Sequence, residues 1–351
     1  MKFHELKHDQ RRQLIDTQQV YEAWRSARAE RDRRFTGSMR WAPRNGTDYL
    51  LRKIGSRETS LGRRSSATEA AYEAFNHGRN ENRDRLQRLA ARLDELAPVN
   101  VALGLGRVPE IAARLLRRFD EAGLLGTQLF VVGTNAIFAY EALAGVFVAG
   151  GLLATGDIDL LYDARRRMSV ALQDIRERGL IGLLQQVDQS FAPTRPRGFR
   201  ATNRDGYMVD LIRLEAKDVF RGRLPPSLTN LPDDLEGAAI FGLAWLVNAP
   251  KVEAVPLDER GYPLHLVAID PRVFALHKIW LSKRSDREPL KVQRDIEQAR
   301  ATATIAVRYL RLPFDADALS ALPLELRDLL PQAIENGRGN AHQSSSDEPR
   351  W

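Results

Sequence analysis

The chain contains no cysteine in its 351 residues. That absence excludes disulfides, thiolate catalysis and cysteine-based zinc sites, and it fits a reducing compartment. No uninterrupted apolar run approaches the ~20 residues that cross a bilayer. The first residues, MKFHELKHDQRRQ, lack the apolar core of a secretion signal. The expectation is a soluble, cytoplasmic protein with no membrane partner. A Walker lysine motif is also missing, and the six histidines never take HExxH spacing. The stretch ALGLGR offers two glycines at GxG spacing, but no third glycine follows and no clear strand precedes it. What is present is enough apolar residue, 43%, to build two or three modest domains.

Charge is unevenly spread. Residues 1–64 carry 16 Lys and Arg against 8 Asp and Glu, whereas the whole chain is only +7. A basic segment with interleaved aromatics suits a phosphate-rich partner, with Arg33, Arg34, Arg40, Trp41 and Arg44 as candidate nucleic-acid contacts. A solvated helix face that pairs with its own acids explains the same residues.

The expected fold class is α+β, a small mixed sheet with flanking helices between a helical N-terminal and a helical C-terminal region. Residues 1–123 read as mostly helical, with a long polar helix over 10–33 and a hairpin near 38–53 that turns at Asn45-Gly46. Ser66 and Glu69 have capping-box spacing for a helix that ends near Leu96, before Pro98. Pro109 then suits the start of a helix that stops at Gly123. Over 124–230 strands and helices alternate. TQLFVVG and GDIDLLYD read as buried strands. RRRMSVALQDIRERG reads as a helix closing at Gly179, and GFRATN with YMVDLI as a hairpin over Arg204-Asp205-Gly206. Residues 231–335 offer short strands around Gly-Tyr-Pro and then two helices split at Pro289. The polar tail 336–351 has the composition of a disordered segment.

Two aspartates interrupt the apolar run of GDIDLLYD. Side chains two apart on a strand share a face, so Asp157 and Asp159 point the same way, about 6.6 Å apart. At an effective dielectric of ~20 their repulsion would be about 2.5 kcal/mol. Asp210 sits mid-strand in YMVDLI, and a hairpin beside the first strand would bring three carboxylates together. Hard oxygen ligands of this kind hold Mg²⁺ or Mn²⁺, and two such ions can clamp a phosphoryl transfer. Upstream, strand 127–132 delivers Gly133, Thr134 and Asn135 to the start of a helix, where free N–H groups favour an anion. Gly133 lets a phosphate approach the backbone, and Thr134 can cap the helix or touch phosphate. Together these features describe handling of a nucleoside triphosphate.

Gly133-Thr134, Asp157-Ile158-Asp159-Leu160 and Asp210 on a later strand resemble the signature of the DNA polymerase β-type nucleotidyltransferase superfamily. GTNAIFAYEALAG, LLATGDIDLLYD, NRDGYMVDLI and SLGRRSSATEAAYEAF are similar to its bacterial nucleotidyltransferase-fold proteins, over roughly residues 35–310. The resemblance implies transfer of a nucleoside monophosphate from an NTP such as ATP to a hydroxyl-bearing acceptor, RNA or protein among them, by a two-metal mechanism. It makes Asp157 and Asp159 metal ligands, and Asp210 the third carboxylate and general base. Two departures stand out: the family's usual Gly or Ser is Thr134 here, and 22 residues (135–156) separate the turn from Asp157, about twice the usual gap. The C-terminal helices add Lys278 and Lys291 as candidate triphosphate contacts, although Lys291 and Asp295 have the spacing of a surface pair. Tyr140 and Glu141 fit either the pocket or a helix interior. A non-catalytic nucleotide- or nucleic-acid-binding module on the same fold is the alternative reading.

Overall fold

The computed structural model describes residues 3–165, 173–214, 227–229, 231–240, 244–315, 317 and 319–338. The chain divides into two compact units. The smaller comprises Asp9–Leu105 with Arg260–Pro263; the larger comprises Met1–His8, Gly106–Glu259 and Leu264–Trp351.

In the smaller unit a long polar helix spans His8–Arg34 and buries only a narrow stripe, including Leu14, Thr17, Tyr21 and Ala27. A three-stranded antiparallel sheet follows, Ser38–Arg44, Thr47–Ile54 and Arg57–Arg63. Its first turn falls at Asn45-Gly46 as expected, both with positive φ. The third strand was not anticipated, because RETSLGR is polar and almost wholly exposed. The helix Ser66–Ala102 is capped by Ser65, one residue earlier than its sequence suggests. Ser65 Oγ accepts from Thr68 N–H, and Thr68 Oγ1 accepts from Ser65 N–H at 2.9 Å. Glu69 instead takes Arg64 at 2.7 Å.

Pro98 does not end that helix but lies inside it. A proline there removes one backbone bond, so tertiary contacts must carry the last turns. Asn100 supplies them: fully buried, its Nδ2 donates to Gly261 O at 2.8 Å. Its Oδ1 accepts from Gln13 Nε2 at 2.9 Å and from Thr17 Oγ1 at 3.2 Å.

The larger unit is built on an eight-stranded mixed sheet. Seven strands run in the order Lys251–Ala254, Leu266–Ile269, Leu129–Val132, Asp157–Tyr162, Met208–Leu214, Arg200–Thr202, Ala192–Pro193, and Ala238–Ile240 pairs beside Met208–Leu214. Every residue of Leu129–Val132 and Leu266–Ile269 is buried, as befits central strands covered on both faces. The Gly-Tyr-Pro strands thus extend the sheet that carries the aspartates. Helices pack on it with apolar stripes; Glu110–Glu121 contributes Ala112, Leu115, Leu116 and Phe119 at helical spacing. The α+β architecture with flanking helices is the one expected.

The long gap before Asp157 is now accounted for. The helix Ile137–Ala144 stops at Gly145, and Val146–Val148 forms a strand that pairs with Phe3–Glu5 near the N-terminus. A 3₁₀ turn, Gly150–Leu152, completes the insertion. The helix expected over 165–179 begins in part outside the described residues. Its described portion, Gln173–Val187, breaks at Gly179 and then resumes. Helices Pro271–Ser282 and Pro289–Thr304 confirm the split at Pro289. The last described helix, Leu330–Arg338, reaches three residues into the expected tail, and 339–351 lie outside the described residues.

Two outcomes test this packing. Asn100→Ala would strand Gly261 O in the interior, whereas Thr17 Oγ1 keeps its bond to Gln13 O at 2.8 Å. The change should cost about 2–3 kcal/mol in a urea melt, against less than about 1 kcal/mol for Gln13→Ala. His277 packs against Trp245 and Trp280 with its Nδ1 unpartnered. Burial, then Lys278, Arg287 and Arg284, lower its pKa from 6.5 to about 3. The unfolded chain therefore takes up a proton below pH 6.5 that the fold refuses, so stability falls as pH drops from 6.5 towards 3. The loss should reach about 2 kcal/mol by pH 4, discounted for the ring's partial solvent contact, and His277→Phe should remove that pH dependence.

Candidate active site

Two strands of the sheet carry the acidic residues, and a third leads into the Gly133 turn beside them. Val132 lies in register with Asp159 across an antiparallel pair, and Asp159 lies in register with Asp210 across a parallel one. Asp157, two residues before Asp159, opposes Met208. In-register neighbours share a face, so Asp159 is flanked by Asp157 along its own strand and by Asp210 on the next. The chain leaves its buried strand through Gly133, at φ 63° and ψ −157°, a conformation open to glycine. There the backbone lies directly against Asp159, and a Cβ on residue 133 would overlap the carboxylate oxygen.

The charges are only partly compensated. Asp159 retains some solvent contact, yet it is packed in protein, and its carboxyl is pushed up to about 7. Burial is the main cause, followed by Asp157 and Asp210; Lys278 and Arg200 oppose the shift. Asp210 is buried and held bidentately by Arg200, with Nε to Oδ1 and Nη2 to Oδ2 both at 2.6 Å. Thr155 Oγ1 donates to Asp157 Oδ1. Asn135 Nδ2 donates to Asp157 O at 2.7 Å, leaving Asn135 Oδ1 buried without a partner. The Tyr207 hydroxyl is likewise buried and unpartnered, and burial, Asp157 and Asp159 all raise its pKa.

Thr134 is tied down from the opposite side. Residues Thr134–Ala136 form a 3₁₀ turn before the helix Ile137–Ala144, and no side-chain cap forms at either start. The hydroxyl of Thr134 instead accepts from Arg294 Nη2 and Gln298 Nε2, each at 3.0 Å. The same two side chains reach Ala154 O at 2.7 Å and Leu152 O at 3.2 Å. Arg294 and Gln298 were not singled out from the sequence. Their only trace there is i, i+4 spacing on one helix, which many structural pairs share.

The other sequence candidates occupy varied surroundings. Lys278 is buried and donates to Asp295 Oδ1 at 2.8 Å, while Arg287 holds the other oxygen of Asp295 at 2.7 Å. Lys291 is exposed and pairs with Glu288 at 2.9 Å, so Asp295 is not its partner. Tyr140 donates to Ile269 O, and Glu141 binds Arg107 and the N–H of Val148; both are interior supports. In the basic segment Arg34 pairs with Glu30 and Arg40 with Glu58. Trp41 packs against Tyr72 beneath Arg64, whereas Arg33 and Arg44 are exposed.

The donor set fits one hard cation better than two. Asp157 and Asp159 offer oxygens on one face, and the orphaned Asn135 Oδ1 and Tyr207 hydroxyl belong to the same surroundings. Arg200 already occupies both oxygens of Asp210. Among the described residues no three His, Asp or Glu side chains are grouped to hold a metal ion.

A family model described as nucleotidyltransferase matches residues 110–323. No curated protein and no solved structure matches the chain.

The fit of Gly133 against Asp159 has a measurable consequence. Gly133→Ala should lower stability by about 2–4 kcal/mol and displace the carboxylate. Gly145, also at positive φ but in open space, should cost only about 1 kcal/mol as alanine. Paired thermal melts decide this, and equal losses would mean that the contact with Asp159 carries no weight.

Proposed function

The chain belongs to the nucleotidyltransferase family whose model spans residues 110–323, and on that premise we propose that it moves a nucleoside monophosphate from an NTP to a hydroxyl-bearing acceptor. The observation that carries this reading is the register that sets Asp159 beside Asp210 and against the Gly133 turn. The Gly-Thr turn, the Asp-Ile-Asp strand and the later strand aspartate also support placing it with the bacterial members of the DNA polymerase β-type superfamily.

In the proposed reaction an acceptor oxygen bonds to the α-phosphorus. The bond from that phosphorus to the bridging oxygen breaks, and pyrophosphate leaves with the electron pair. The acceptor's proton passes to the carboxylate cluster, where Asp210 is the proposed base. Backbone N–H groups after Gly133 would receive a phosphate, with Asn135 fixing the turn to the Asp157 strand. Lys291 is the freer of the two proposed phosphate contacts, and Lys278 acts on the site through its field at Asp159. A bound Mg²⁺ or Mn²⁺ would rest on Asp157 and Asp159 and supply positive charge to the phosphoryl oxygens. A two-ion arrangement would also need an oxygen of Asp210, which Arg200 must then release.

RNA or a protein hydroxyl is the proposed acceptor. Arg33 and Arg44, both exposed, are cations of the basic segment proposed to meet an RNA. No helix among the described residues is long and apolar enough to cross a membrane. The hold of Arg200 on Asp210 favours one alternative, a module that binds nucleotide without turning it over.

Incubation with each α-labelled NTP, Mg²⁺ or Mn²⁺, and RNA or cell extract distinguishes the two. Label should pass to an acceptor, and Asp157→Asn or Asp159→Asn should reduce transfer by about 100-fold or more without loss of fold. Undiminished labelling by both variants would overturn the assignment. Nucleotide binding with no transfer under any condition would establish the binding module.

A further inference from the structure

Arg200 is placed by backbone geometry rather than by chance contact. It opposes Asp210 in the hairpin formed by Arg200–Thr202 and Met208–Leu214. The turn of that hairpin is locked by Asn203, whose Oδ1 accepts from the N–H groups of Asp205 and Tyr207, at 3.1 and 2.8 Å. Asn203 Nδ2 in turn donates to Asp188 Oδ2 at 3.0 Å, and Phe199 O accepts from Leu211 N–H at 2.8 Å. The Arg200 guanidinium also lies 5.6 Å from the centre of the Phe199 ring. Both ends of the ion pair are therefore held before any ligand arrives.

A guanidinium keeps its charge at any working pH, and its fork matches a carboxylate bidentately. Arg200 lies in the field of all three site aspartates, with Asp210 the nearest. An ion shared between Asp159 and Asp210 would have to break two short, charge-assisted bonds. An ion resting on Asp157 and Asp159 leaves both of those bonds in place, and the orphaned oxygen of Asn135 belongs to a buried side chain, 1% exposed, that is itself bound to the Asp157 backbone.

We propose that Arg200 is a fixed cation standing where a second divalent ion would bind, so that the site takes one ion, on Asp157 and Asp159. The inference rests on the nucleotidyltransferase reading and departs from the two-ion arrangement expected of the sequence pattern. The positive charge on the Asp210 side is then built into the chain. Divalent-ion demand should follow a single site, and the nucleotide and acceptor should meet one mobile and one immobile positive charge.

The test is Mn²⁺ binding to the full chain, without nucleotide, followed by electron paramagnetic resonance and calorimetry. The wild type should bind one Mn²⁺ per chain, and Asp159→Asn should lose it. Arg200→Gln frees Asp210 and should bind two. Arg200→Lys, which keeps a positive charge, should stay at one. Because Arg200→Gln alone leaves a buried carboxylate unpaired, the Arg200→Gln/Asp210→Asn double variant supplies a neutral pair, and it should fold and return to one ion. Two ions on the wild type, or one on a folded Arg200→Gln, would overturn the proposal. Two ions on a wild type that still transfers label would sink this inference and leave the enzyme assignment standing. No ion on any variant, with no label transfer, would remove both.

Discussion

The larger unit depends on one unfavourable contact, the Asp159 carboxylate held in packed protein between Asp157 and Asp210. A sheet whose central strands are buried on both faces would be more stable with an apolar residue at this position. Instead the chain carries a carboxyl whose proton affinity is raised to about 7 by burial and by its two neighbours. Much of the surrounding structure consists of devices that make this tolerable. Arg200 neutralises Asp210, and Thr155 hydrogen-bonds Asp157. Lys278 is buried with Asp295 as its hydrogen-bond partner, and its charge opposes the upward shift at Asp159. Gly133 gives up its side chain so that the backbone can lie against the carboxylate.

Sheet topology makes the cluster possible. Asp157 and Asp159 come from one strand, but Asp210 reaches them only because its strand runs parallel to theirs and in matching register. A slip of one residue in that pairing would send Asp210 to the opposite face. The pairing is secured from the far side by the Arg200 hairpin and its Asn203-locked turn, so the group that fixes the strand register also carries the cation that binds Asp210. Position and charge compensation arise from the same two-strand element.

Much of this was legible in the sequence, for reasons that differ by element. The Asp157/Asp159 pair stood out because charge inside an apolar, strand-length run has few innocent explanations. The hairpins at Asn45-Gly46 and Asp205-Gly206 were readable because their turn residues permit few backbone conformations. Pro98 misled because its local rule is outweighed by Asn100, whose partners Gln13, Thr17 and Gly261 are far away in sequence. The Ser65 cap was displaced by one residue because Ser65 and Thr68 cap each other as well as Ser66 and Glu69 could. The pairing of Phe3–Glu5 with Val146–Val148 left no trace, being three residues long and joining distant segments. Arg200, Arg294 and Gln298 escaped for a related reason: an arginine or glutamine on an ordinary element shows no sign of a partner contributed by another one.

Those three residues change how the site should be understood. A signature pattern lists the groups that carry negative charge or touch phosphate, and it is silent about what holds them. Here the hydroxyl of Thr134 is committed to Arg294 and Gln298, which also grip the carbonyls of Ala154 and Leu152 in the insertion before Asp157. The Gly133-Thr134 turn, the insertion before the aspartate strand and the helix Pro289–Thr304 are thus joined by one set of hydrogen bonds. Between those two residues in the same helix, Asp295 anchors Lys278 and Arg287. A single helix therefore positions the turn with residues 294 and 298 and sets the field at Asp159 through residue 295. The lengthened insertion, which in the bare sequence looks like a departure from the family pattern, supplies the carbonyls that make this coupling possible.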